Sequence, residues 1–331
     1  DPCDNHGYQK LMQSAFLDFN TLGPEDINVN KLRDELPDIK LYSATTPDQV
    51  IERIQNVEVI VVNKVPLNSA ALLKAEKLKL ICVAATGCDN IDLAAAKTHG
   101  ITVCNIRNYC TASVVQQVFS YILDLTQRTG AWQDLIAKGE WQQSEQFCML
   151  NLSSRELHSK TLGIVGAGAL GRAVANVGEA FGMRVIAAEL PGRKSDDSFI
   201  PRVPWAKFLA QADIVSLHCP LTDSTRNLID AEALDKMPDD ALLINTSRGG
   251  LVDSRALMDA LKAGEIGGAG IDVLPVEPPV DGDPLLEKRL SNLLITPHIA
   301  WAAIESRQRT VNEIVANIRA YKKGEPTNRL A

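Results

Sequence analysis

The sequence contains no run of lysine or arginine, and its 34 Lys+Arg stand against 41 Asp+Glu, a formal charge of −7. Nucleic acids and anionic membranes select basic patches, so neither is expected as the main partner. No apolar stretch approaches the ~18 residues that span a bilayer. The seven cysteines (3, 82, 88, 104, 110, 148, 219) are odd in number and scattered, with no C-x-x-C pair and no His/Cys cluster. That spacing points to neither a disulfide framework nor a metal site, and a reducing cytoplasm fits it best. Internal repeats and low-complexity segments are also lacking. What is present is 45% hydrophobic and 23% charged residues over 331 positions, the composition of an ordinary globular protein. At ~100–200 residues per domain, this length suggests two domains, each with its own core.

Along the chain, short β-rich apolar runs alternate with segments of helical spacing. The first set is SAFLDF (14–19), DIKLYS (38–43), VEVIVV (57–62), KLKLICV (77–83) and GITVC (100–104). A second, more regular set comprises TLGIVG (161–166), RVIAA (184–188), DIVSL (213–217), ALLIN (241–245), GAGID (268–272) and NLLIT (292–296). Alternation of this kind predicts an α/β chain with two parallel sheets, the second a six-stranded doubly wound dinucleotide-binding domain. Between the sets, 111–127 is a mostly apolar helix, and 128–160 is polar with Trp132 and Trp141, either a dimerisation arm or a helix and loop packed within one subunit. Near the end of the chain Ile304, Val311, Ile314, Val315, Ile318 and Tyr321 share one helical face, and this helix is expected to return to the first sheet. The expected domains are therefore 12–108 plus 305–331 for the smaller one and 109–304 for the cofactor domain. Residues 1–11 have neither an initiating Met nor the order of a signal peptide, and are expected to be a non-native extension with Met12 as the native start.

Gly166, Gly168 and Gly171, with Ala169 and Leu170 between them, form GAGALG after a predicted strand and at the opening of a helix. This is the context of the dinucleotide fingerprint, in which a tight turn brings backbone N–H groups at a helix N-terminus to a pyrophosphate. The next strand ends at Glu189, 18 residues beyond Gly171, near the offset at which a carboxylate binds both ribose hydroxyls and repels a 2′-phosphate. NAD(H) is the expected cofactor, although Arg193 and Lys194 lie close enough in sequence to meet a 2′-phosphate. His218-Cys219-Pro220 and Thr246-Ser247 follow strands at their carboxyl ends, where ligands of open α/β sheets bind, so all five are cofactor-binding candidates. His218 is equally a loop histidine with no part in proton transfer.

Three polar residues stand at or beyond strand ends: Arg248 in INTSRGGLVD, Glu277 in IDVLPVEPP and His298 in LLITPHIAW. Singly they read as a surface cation, a loop carboxylate and a packed histidine. Together they supply what reduction of a 2-keto acid calls for: a carboxylate clamp, a proton donor and a group that orients the donor.

With GAGALG, this set resembles the D-isomer-specific 2-hydroxyacid dehydrogenase family over nearly the whole chain after Met12. ATGCDNIDL (85–93), YCTASVVQQVF (109–119), HCPLTDSTRNLI (218–229) and TPHIAWA (296–302) look most like its glycerate dehydrogenase/hydroxypyruvate reductase branch. The resemblance implies a doubly wound Rossmann cofactor domain, a smaller flavodoxin-like substrate domain and a homodimer. It also implies NAD(H)-dependent reduction of hydroxypyruvate or glyoxylate to D-glycerate or glycolate. Arg248 would clamp the substrate carboxylate through its planar two-pronged donor. His298 would be the proton donor, with Glu277 on its far nitrogen favouring the imidazolium. Asp272 would meet the nicotinamide carboxamide. Ala85, Thr86, Gly87 and Cys88 would offer backbone N–H groups to the substrate, with Lys64 facing the same cleft. Trp301 either narrows the pocket or anchors packing. Two glutamines, Gln116 and Gln117, stand where family members often carry an acidic residue. D-lactate-type activity, or a nucleotide-sensing corepressor built on the same fold, are the competing readings. Turnover separates an enzyme from a sensor.

Overall fold

Runs such as Val59–Val62 and Leu80–Val83 are apolar at every position and buried on both faces, which is how strands read when helices cover a parallel sheet from two sides. The structure, a computed structural model, describes residues 12–190 and 200–331. In the first unit the strands are β1 (Ser14–Phe16), β2 (Lys40–Leu41), β3 (Val59–Val62), β4 (Leu80–Val83) and β5 (Thr102–Cys104). Short helices α1 (Asn30–Glu35), α2 (Val50–Ile54), α3 (Ser69–Lys74) and α4 (Leu93–Thr98) connect them. All pairs are parallel, in the order β2-β1-β3-β4-β5, the flavodoxin-like arrangement.

The second unit opens with the long helix α5 (Thr111–Gln127) and α6 (Thr129–Ala137). Its sheet and crossovers then run β6 (Thr161–Val165), α7 (Ala169–Ala180), β7 (Arg184–Ala188), β8 (Arg202–Val203), α8 (Trp205–Gln211) and β9 (Ile214–Leu217). They finish with α9 (Ala231–Asp235), β10 (Leu242–Asn245), α10 (Ser254–Ala263), β11 (Gly268–Ile271) and β12 (Leu293–Ile295). Again every pair is parallel, ordered β12-β11-β10-β9-β6-β7-β8. Strand order reverses between β6 and β9, so the carboxyl ends of these two strands flank the crevice where a dinucleotide binds in doubly wound sheets. Side chains including Phe208, Leu217, Leu243 and Met258 fill the core on one side of this sheet.

Two expectations are corrected. Among the described residues the second sheet has seven strands, not six: β8 is a two-residue edge strand paired to β7. The two compact units meet in sequence at Cys110/Thr111 and Trp301/Ala302. The C-terminal helix (Ile304–Lys322) does pack on α1 and β4 of the first unit, but its buried face runs through Ser306, Thr310, Val311, Ile314, Val315, Asn317 and Ile318. Ile304 is half-exposed because it begins the helix, before the buried face starts. Residues 1–11, Cys3 among them, lie outside the described part of the chain, as do Arg193 and Lys194.

Candidate active site

The glycine turn after β6 is built by close backbone contact. Gly166 has φ +101°, and a Cβ there would lie 2.6 Å from the Cys219 nitrogen. A Cβ on Gly171 would lie 2.2 Å from the Gly166 carbonyl oxygen, whereas one on Gly168 would meet nothing within 4 Å. The turn is therefore packed on its inner side and open at Gly168, the N-cap of α7, where the first N–H groups of a helix lack intrahelical partners. Across the crevice at the end of β9, His218 Nε2 lies 2.8 Å from Ser216 Oγ, and its Nδ1 is shielded from solvent without a partner. Burial pushes the His218 ring down from 6.5 to about 4, so it is neutral at pH 7. The buried Thr246 hydroxyl beyond β10 is likewise without a partner, and Ser247 Oγ donates to the Cys219 carbonyl at 2.8 Å. Glu189 is exposed at the end of β7, its N–H donating to the Val203 carbonyl. An open glycine turn, a helix N-terminus and two orphaned buried polar atoms on neighbouring strand ends fit a dinucleotide.

The loops after β10, β11 and β12 meet beside this turn. Gly249, which follows Arg248, touches the next loop so closely that a Cβ would lie 1.9 Å from the Leu274 carbonyl carbon. Asn245 Nδ2 donates to the Arg248 carbonyl at 2.9 Å, and Arg248 Nη1 donates to the Ser247 carbonyl at 2.9 Å. Three residues beyond Leu274, the Glu277 carboxylate is divided between two partners. Oε1 accepts from the Leu274 N–H at 2.9 Å, and Oε2 lies 2.6 Å from His298 Nδ1. The backbone thus fixes the carboxylate that meets the imidazole at Nδ1.

His298 has φ +57°, a left-handed conformation that costs a non-glycine residue about 1–2 kcal/mol. Asp272, buried at the end of β11, holds it there. Its carboxylate accepts from the Thr296 hydroxyl and from the N–H groups of Ile299 and Ala300, both at 2.9 Å, while its carbonyl accepts from the His298 N–H at 2.7 Å. Hydrogen bonds to an ionised acceptor contribute about 1.5–3 kcal/mol each, so three of them outweigh the backbone strain. Burial pushes the Asp272 carboxyl up, and these donors, with the nearby His298, act against that shift. The Trp301 indole N–H donates to the His298 carbonyl at 3.1 Å, which makes it an anchor of the same loop.

Ala85, Thr86, Gly87, Cys88 and Lys64 belong to the other unit. The Thr86 hydroxyl donates to the Ile106 carbonyl at 2.9 Å, and its carbonyl accepts from Asn105 Nδ2 at 2.8 Å. Burial raises the Cys88 thiol, which lowers its thiolate fraction near neutral pH. The N–H groups of Asn63, Lys64 and Val65 converge on the Asp18 carboxylate, leaving the Lys64 side chain exposed. Asp18 was not singled out in the sequence, and neither were Tyr121 or Thr296. Asp18 and Thr296 follow strands and Tyr121 lies within a helix, and residues so placed carry no signal until their partners are known.

A family described as D-isomer specific 2-hydroxyacid dehydrogenase, NAD binding domain, matches residues 119–300. The chain is 44% identical over 290 residues to a glycerate dehydrogenase of Methylorubrum extorquens, covering 87% of this chain and 90% of that protein. It is 33% identical over 323 residues to a hydroxypyruvate reductase of Blautia hydrogenotrophica, covering 96% and 99%. Among solved structures, a D-lactate dehydrogenase from Aquifex aeolicus complexed with NAD and lactic acid superposes with a TM-score of 0.79 at 31% identity, over 94% of this chain and 96% of that one. The relatives match across both units. The chain belongs to the D-isomer-specific 2-hydroxyacid dehydrogenase family, NAD-dependent oxidoreductases acting on CH–OH groups.

Proposed function

We propose that this chain reduces a small 2-keto acid, hydroxypyruvate or glyoxylate, to D-glycerate or glycolate with NADH, His298 donating the proton. The observation that carries the reading is the 2.6 Å contact between His298 Nδ1 and a Glu277 carboxylate already tied to the Leu274 N–H. Bound NADH supplies the hydride to the carbonyl carbon. The carbonyl oxygen then takes a proton from His298 Nε2, and in the oxidative direction the neutral ring takes it back. Glu277 holds the ring at Nδ1 and keeps it from turning. Arg248 holds the substrate carboxylate and polarises the keto oxygen, as a guanidinium can with two parallel donors.

The backbone N–H groups of Ala85–Cys88 serve the substrate carboxylate in this reading, with Lys64 a further cation for it. Gly166, Gly168, Ala169, Leu170 and Gly171 take the pyrophosphate; Glu189 takes the adenosine ribose. His218, Cys219, Pro220, Thr246 and Ser247 line the cofactor between them, and Asp272 meets the nicotinamide carboxamide with acceptor capacity left on Oδ2. Glyoxylate and hydroxypyruvate are favoured as substrates by relatives named glycerate dehydrogenase, hydroxypyruvate reductase and glyoxylate reductase. The six described cysteines are free thiols, which supports a reducing compartment such as the cytoplasm; among the described residues no helix is long and apolar enough to cross a membrane. The same reading makes the chain a homodimer joined through residues 128–160.

The test is NADH oxidation with hydroxypyruvate, glyoxylate, pyruvate and 3-phosphohydroxypyruvate in parallel, repeated with NADPH and with His298→Ala. Hydroxypyruvate or glyoxylate with NADH should be preferred, and His298→Ala should lower turnover by about 10²–10⁴ without loss of NADH binding. Near-normal turnover in His298→Ala removes the proton-donor assignment. Tight NADH binding with no turnover on any acid favours the sensor.

A further inference from the structure

Helix α5 carries a hydroxyl that an apolar core would not need. Tyr121 is 2% exposed, and its ring lies against β11 where Gly270 leaves room for it: a Cβ on Gly270 would be 2.5 Å from the Tyr121 Cγ. A phenylalanine would fill that space equally well. The Tyr121 hydroxyl instead meets the Thr296 hydroxyl, and the Thr296 proton goes to Asp272 Oδ1. With its own proton so placed, Thr296 can only accept from Tyr121. Asp272 in turn accepts from the N–H groups of Ile299 and Ala300, the two residues after His298. Two turns earlier on α5, Ser113 Oγ donates to the Ala300 carbonyl at 2.6 Å. Helix α5 therefore grips both ends of the segment that contains the left-handed His298.

We propose that Tyr121 is a positioning residue for His298, acting through Thr296 and Asp272 to hold the imidazole in line with Glu277. The inference rests on the reading of His298 as proton donor. The Tyr121 hydroxyl keeps its proton throughout the working range, since burial pushes it up to about 12. Without that donor Thr296 is free to turn, and its bond to Asp272 Oδ1 is no longer directional. The loop then samples orientations in which Nε2 is off the line of proton transfer. Misplacement on the scale of an ångström lowers turnover by up to about 10²-fold, whereas the cofactor contacts assigned to the glycine turn and to Glu189 involve none of these residues.

The experiment compares the full-length wild type with Tyr121→Phe, Thr296→Ser and Thr296→Val. The first readout is the histidine Cε1–Hε1 NMR spectrum, in which His298 is the signal lost in His298→Ala. Tyr121→Phe and Thr296→Val should shift or broaden that signal while leaving those of His99 and His158 in place, and Thr296→Ser should keep it. The second is steady-state kinetics with hydroxypyruvate and NADH: kcat should fall about 10-fold or more in Tyr121→Phe and Thr296→Val, with a smaller change in the Kd for NADH and Thr296→Ser close to wild type. An unmoved His298 signal in Tyr121→Phe overturns the proposal, as does Thr296→Ser behaving like Thr296→Val. If Tyr121→Phe does not fold, the Ser/Val pair at position 296 decides. A wild type that turns over no keto acid defeats the proton-donor reading alone, and the NMR signal still answers for the network.

Discussion

His218 shows how one buried imidazole links the cofactor crevice to stability. Its Nδ1 is shielded and partnerless, and burial holds the ring at about 4 instead of 6.5. The folded chain therefore keeps this histidine neutral between those values, while the unfolded chain binds a proton there. Since the unfolded state holds more protons in that window, stability is full above pH 6.5 and falls as the pH drops toward 4, by at most about 3 kcal/mol from this residue. Urea denaturation of wild type and His218→Gln across pH 4–7.5 should show a steeper acid loss in the wild type. Parallel curves for the two proteins would mean that the ring is solvated in solution. The neutral state also fits a residue that lines a cofactor and takes no part in proton transfer, in contrast to the role proposed for His298, which lies beside Glu277.

At the scale of elements, the catalytic candidates stand on three loops whose spacing is set by backbone contact. The Arg248 loop and the Glu277 loop touch at Gly249, so Gly249→Ala would drive a Cβ into the Leu274 carbonyl, which has no side-chain freedom to move away. Overpacking of this kind costs about 1–3 kcal/mol. Gly249→Ala should lower the thermal midpoint, and it should reduce kcat more than a substitution of similar cost in the distant core, because relief of the clash separates Arg248 from Glu277. An equal loss for the two variants would show that the contact serves stability alone. The strands that carry these loops were legible in the sequence because each is a short apolar run bounded by polar turns. β8 was not, since a two-residue edge strand has no periodicity to read. The C-terminal helix misled at Ile304 for a related reason: its buried face continues through Ser306, Thr310 and Asn317, polar residues satisfied inside the fold, as where Asn317 Nδ2 donates to the Asn105 carbonyl. Arg248, Glu277 and His298 were singled out because the proposed reaction calls for their residue types. The support beneath them, Tyr121 with Thr296 and Asp272, joins residues 175 and 24 positions apart and cannot be read from spacing.

For the whole molecule, residues 128–160 are the segment whose exposure asks for a partner. After α6, Phe147 is 91% exposed, Leu150 84% and Trp141 51%, three large apolar side chains within ten positions. Burying such side chains contributes roughly 1.5–3 kcal/mol each, and contiguous exposed apolar surface marks interaction sites. The Trp141 indole N–H donates to the Phe147 carbonyl at 3.1 Å, so the two rings are presented from one locally ordered turn. A second copy of the chain is the partner that the dimer reading calls for, and symmetric pairing through one patch is the commonest closed assembly. Light scattering after size exclusion should therefore give twice the mass of one chain. Phe147→Glu with Leu150→Glu places two charges on surface that the interface would desolvate, so the double variant should shift toward the single-chain mass at micromolar concentration. NADH binding should persist in it, because both positions lie far in sequence from the glycine turn and from the 218–220 and 246–248 strand ends. A wild type that runs as a single chain would assign Phe147 and Leu150 to some other contact. A double variant that stays dimeric would move the interface away from this segment.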